Sequence, residues 1–129
     1  NWIAYSSAMS GEEELYVDAF PGLGMRKQVS SGGGTNPLWA PDGRTLYYIK
    51  VPLRPDAMMM AVPIQPGSPL GVGAPRALVR FPFLTSGPSR CYDITPDGRR
   101  FVVESFELPK PAPATELHVI LNWPERLPN

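Results

Sequence analysis

The sequence predicts an all-β chain, and three observations lead there. Seventeen prolines and twelve glycines in 129 residues fall as punctuation between short apolar runs, not as one low-complexity tract. Those runs are five to seven residues long and rich in Val, Ile, Tyr, Phe and Leu, too short for helices and suited to strands. Several of them, "TLYYI" and "RFVVE" among them, carry apolar residues on both faces, the pattern of a strand covered on both sides.

Taken in order, the strand candidates are "WIAYS", "ELYVDAF", the stretch "MRKQVSSGGG", the Leu38-Trp39 approach to "APDGR", then "TLYYIKV", "MMMAVPI", "RALVRF", Tyr92-Asp93-Ile94, "RFVVESF" and "LHVILNW". Only "DAMMMAVPI" has helical appeal, since an Asp precedes three methionines. Pro63 and Pro66 would stop a helix there within two turns, so a strand is expected. As a strand, it must turn at least one of Met58, Met59 and Met60 inward.

"PDGR" occurs twice, with Pro41, Asp42, Gly43 and Arg44 repeated as Pro96, Asp97, Gly98 and Arg99 at a displacement of 55 residues. Each copy is flanked by strand candidates. Pro suits the first corner of a tight turn, Asp can bond its own backbone two residues on, and Gly supplies positive φ, so all eight residues are expected to build turns. The opening "NWIAY" lies over "RTLYY" at a displacement of 43 residues, as the strand that follows such a turn. Four strands in 40-odd residues, repeated, point to β-propeller blades, each a small antiparallel sheet packed face to face with its neighbours. The expected divisions are 1–38, 39–90 and 91–129, about two and a half blades where a closed ring takes four to eight.

"NPLWAPDGRTLYYI", "CYDITPDGRRFVVE", "ELYVDAFPG" and "GGGTNPLW" together resemble the PDG-motif propellers, the WD-repeat-like blades of TolB and of the propeller regions attached to bacterial Ser/Thr protein kinases. The likeness covers most of the chain and is nearest to the kinase-linked kind, whose last strand "LHVILNWPERL" is similar to. It implies a non-enzymatic binding or sensing module on the periplasmic or extracytoplasmic side of a bacterial membrane receptor, meeting a protein or small ligand at the propeller rim. One departure is that the usual Ser before PDG is Ala40 in one copy and Thr95 in the other, which is expected to loosen a turn hydrogen bond. An alternative is the gating propeller of a prolyl-oligopeptidase-like peptidase, and another a self-assembling structural protein. The strand count expects the ring to be completed by further blades of a longer chain or by further copies.

Twelve basic and twelve acidic side chains cancel, so nucleic acid is not an expected partner, and no apolar stretch reaches the roughly 18 residues of a membrane helix. No cofactor, metal ion or catalytic residue is expected. Asp42 and Asp97 read as turn residues in preference to metal or catalytic carboxylates, and Arg44 and Arg99 as solvated strand ends, or as a basic ring on one face that would bind an anion. "SSGGGTN" has the glycine density of a phosphate loop but lacks the Gly-Lys-Ser/Thr ending, so it reads as an inter-blade loop. "GEEEL" lacks alternating calcium ligands and reads as a solvated hairpin loop. Cys91, the one cysteine, reads as core packing, and His118, the one histidine, as a strand residue without a nucleophile elbow.

Overall fold

The computed structural model describes residues 1–22, 24–50, 57–67, 69–81 and 90–104. These hold ten strands and no helix: β1 (Trp2–Ser7), β2 (Glu14–Ala19), β3 (Lys27–Gln28), β4 (Thr35–Trp39), β5 (Thr45–Lys50), β6 (Ala57–Gln65), β7 (Gly71–Val72), β8 (Arg76–Phe81), β9 (Tyr92–Ile94) and β10 (Phe101–Val103). The expected strand "LHVILNW", His118 and the end of the chain lie outside the described residues.

Every strand pairing is antiparallel, and the strands form three sheets. The first runs β1-β2-β3. The second runs β4-β5-β6, with β8 on the far side of β6 and the two-residue β7 folded back on the end of β6. The third is the β9-β10 pair. Because β4 pairs with β5, residues 35–38 belong to the second sheet. The break between the first two sheets falls in the glycine loop ahead of Thr35.

Side-chain alternation along β5 and β6 decides how the sheets stack. Leu46 and Tyr48, with Val62 and Ile64 of β6, turn to one face and form a core with Leu15, Val17 and Val29 of the first sheet and its following loop. The intervening positions Ile49 and Met59 turn the other way, into a second core with Leu38, Cys91 and Tyr92, against which Tyr47, Phe101 and Val103 also pack. The second sheet is thus a wall between two cores, which is what apolar residues on both of its faces require. The three methionines divide accordingly: Met59 is fully buried in the second core, Met60 lies against the first, and Met58 is half-buried.

Pro63 is tolerated in β6 because it lies beyond Ala61, the last residue that β8 pairs. The Pro- and Gly-rich stretch after β6, "QPGSPLGVGAP", is more than a loop. Leu70 enters the first core, and its carbonyl accepts a bond from Lys27 Nζ at 2.9 Å. On the outer edge, β8 is mostly exposed and carries Arg76 and Arg80, charges that discourage edge-to-edge pairing.

Candidate functional site

The two PDGR stretches form near-identical turns. In the first, Gly43 N–H donates to Ala40 C=O at 2.9 Å, Ala40 N–H to Thr45 C=O at 2.8 Å, and Arg44 N–H to Asp42 Oδ1 at 2.9 Å. In the second, the corresponding bonds join Gly98 to Thr95, Thr95 to Arg100 and Arg99 to Asp97 Oδ1, at 2.8, 2.9 and 3.0 Å. Gly43 and Gly98 have φ of 66° and 71°, where a Cβ is strained. The turns lie side by side, a Cβ on Gly98 falling 3.9 Å from the Pro41 ring.

Both carboxylates therefore hold backbone amides. Among the described residues, no three His, Cys, Asp or Glu side chains come together as a metal site would need. Arg44, Arg99 and Arg100 are exposed at this end of the sheets. The expected loosening of the second turn is not what the structure shows. The Thr95 hydroxyl donates to the Asp97 carboxylate and accepts from Arg100 N–H at 3.1 Å, filling the role of a serine, and its bond holds the Asp97 carboxyl below the usual range. Only Ala40 lacks the group.

At the opposite end of β9 and β10 lies an open cleft of about 820 Å³, bounded by Asn36 and Pro37, residues 90–93 and residues 102–104. Asn36 shapes it. This residue sits in the irregular part of β4, where the register with β5 shifts, and has φ of 53°, a left-handed conformation that Asn accepts more readily than most residues. Its carbonyl accepts from Tyr92 Oη at 2.7 Å and its Nδ2 donates to Cys91 Sγ at 3.5 Å, so one residue fastens the third sheet to the second. Burial pushes the Cys91 thiol up, away from the thiolate a nucleophile needs, and burial likewise raises the Tyr92 phenol. The groups left to face solvent are an ion pair of Arg90 with Asp93 at 3.7 Å, Glu104 and exposed Val102. This set offers charged and apolar groups to a binding partner. No family model, curated protein or solved structure matches the chain.

A second polar cluster was hidden in the sequence. Glu12 and Glu13 are exposed as a solvated loop requires, but Glu14 is only 5% exposed. The loop after β3 folds over the start of β2, where Ser30 Oγ accepts from Leu15 N–H at 2.8 Å and donates to the Glu14 carboxylate. Gly32 and Gly33 N–H donate to its other oxygen at 2.7 and 3.1 Å. Burial raises the Glu14 pKa, but the Ser30 bond, the two glycine amides and Lys50 outweigh it and leave the carboxyl below its ordinary value. "SSGGGTN" is an inter-sheet loop held by an internal carboxylate: the anion that its amides bind is part of the chain.

Proposed function

We propose that the chain is a run of β-propeller blades acting as a non-enzymatic interaction module, one full blade in the middle and parts of two others beside it. The observation that carries this is the use of the same face by each sheet. Displacements of 43 and 55 residues place Ile3 and Tyr5 of β1, Leu46 and Tyr48 of β5, and Phe101 and Val103 of β10 at equivalent positions. Leu46 and Tyr48 face the preceding sheet, and Phe101 and Val103 face theirs. The residues between, Ala4 and Tyr47, face the sheet that follows. Sheets stacked in one direction by equivalent residues, two of them with a PDG turn at the same place, are what successive blades provide.

A binding role is favoured by the chemistry of the conspicuous residues. Asp42 and Asp97 are engaged in turns, Cys91 is buried in a core contact, and the cleft beside it is lined by exposed charges. The extracytoplasmic, receptor-linked setting implied by the PDG-propeller resemblance is part of this proposal. Sustained turnover of a peptide or ester substrate, abolished in Cys91→Ser, would overturn the non-enzymatic part.

The stack itself is tested at the contact between Tyr47 and Phe101, an edge-to-face pair with ring centroids 4.9 Å apart across the second junction. A double-mutant cycle with Tyr47→Leu and Phe101→Leu, read by urea unfolding, is expected to give a coupling of about 0.5–1.5 kcal/mol. Simple additivity would show that the sheets do not meet there.

A further inference from the structure

Each junction inside the chain is made by one rule. The residue at the Ala4 position of one sheet packs toward the Leu46 position of the next, and the residue at the Tyr47 position packs toward Phe101. Continued by one step, the outgoing residue of the third sheet is Val102, equivalent to Tyr47. The incoming residue awaiting a partner is Ile3, equivalent to fully buried Leu46. Val102 is 66% exposed and Ile3 41% exposed.

We infer that the outer face of β1, around Ile3, is a docking surface for a second copy of this chain, which lays the outer face of its β9-β10 sheet there with Val102 against Ile3, while the outer positions of β2 are already covered by the chain itself. The inference rests on the blade reading and names the partner for the surface where the cleft lies. The incoming face is already prepared as a firm platform. Tyr5 stacks on Tyr16 with centroids 6.0 Å apart, the Arg26 guanidinium lies 5.3 Å from the Tyr16 ring centre, and the Tyr16 hydroxyl bonds Ser10 at 3.1 Å. Charge also matches, since this face offers the Arg26 cation while the outgoing face carries Glu104 beside Val102, with Asp93 already paired to Arg90. The contact is heterologous, joining two different surfaces, so copies add head to tail and close when the accumulated rotation completes a ring.

Ile3→Lys blocks the incoming face and Val102→Lys the outgoing one, and because both positions are exposed neither change disturbs a core. In sedimentation equilibrium the unmodified chain is expected at a multiple of the single-chain mass, and each variant alone at the single-chain mass. An equimolar mixture of the two is expected at twice that mass, because each supplies the face that the other lacks and the pair cannot grow. An unmodified chain that stays single up to ~1 mM would overturn the docking. So would either variant pairing with itself, or both retaining the unmodified mass. The coupling between Tyr47 and Phe101 separates the two ideas: coupling in a chain that stays single retires the docking alone, and absent coupling retires the blades as well.

Discussion

Leu46→Ala is expected to lower the unfolding free energy by about 2–5 kcal/mol, and Met59→Ala by a similar amount. Both side chains are fully buried, yet they point to opposite faces of the second sheet and belong to different cores. Either loss is a large part of the roughly 5–15 kcal/mol that holds a domain of this kind together. Urea unfolding followed by far-UV circular dichroism reads both, because it reports the strands on either side of each core. Because the sheet separates the cavities, the two costs are expected to add within about 0.5 kcal/mol. A cost below about 1 kcal/mol for either one would mean that its face of the sheet is open to water.

The Glu14 cluster carries the second large effect, and it depends on pH. Glu14→Ala removes the acceptor for Ser30, Gly32 and Gly33 at once, with an expected loss of about 1–3 kcal/mol at neutral pH. The folded-state pKa lies below the ordinary value of 4.5, so the carboxylate's contribution is complete above 4.5 and is lost as pH falls through the lower folded value. The difference in stability between the unmodified chain and Glu14→Ala should therefore be constant from neutral pH to about 5 and shrink in stronger acid. A difference that grows on acidification would contradict the assignment. Gly34→Ala attacks the same cluster sterically, because its Cβ would fall 2.7 Å from Ser30 Cβ and against Ser30 Oγ. A loss of about 1–3 kcal/mol is expected there.

Which features were legible in the sequence follows from whether their signal was local. The run "TLYYIK" announces β5 and its two buried faces because the strand's own alternation contains the information. Asp42 and Gly43 announce a turn because the bonds they make span two or three residues. Glu14 gave no such signal. It sits in a run of three acidic residues, and what buries it are Ser30 and two glycine amides 16 to 19 positions away. Asn36 was equally silent, because a residue before a proline favours extended backbone and nothing local points to the left-handed conformation it adopts. The two-residue strands β3 and β7 are too short to show any period, and β7 was concealed in what reads as a Pro/Gly insertion.

The middle sheet as a shared wall has a consequence for how the chain comes apart. Each core is built almost wholly from two neighbouring sheets, so the first and third sheets are coupled only through the second, and unfolding is expected to be graded along the stack instead of all-or-none. The β9-β10 pair can detach by opening the second core and the Asn36 latch while the first core stays closed. The reverse opening, at the β1-β2 end, leaves the second core intact. Cooperativity is thus a property of the junctions, and a further sheet packed on either outer face would raise it for the whole array by adding a junction.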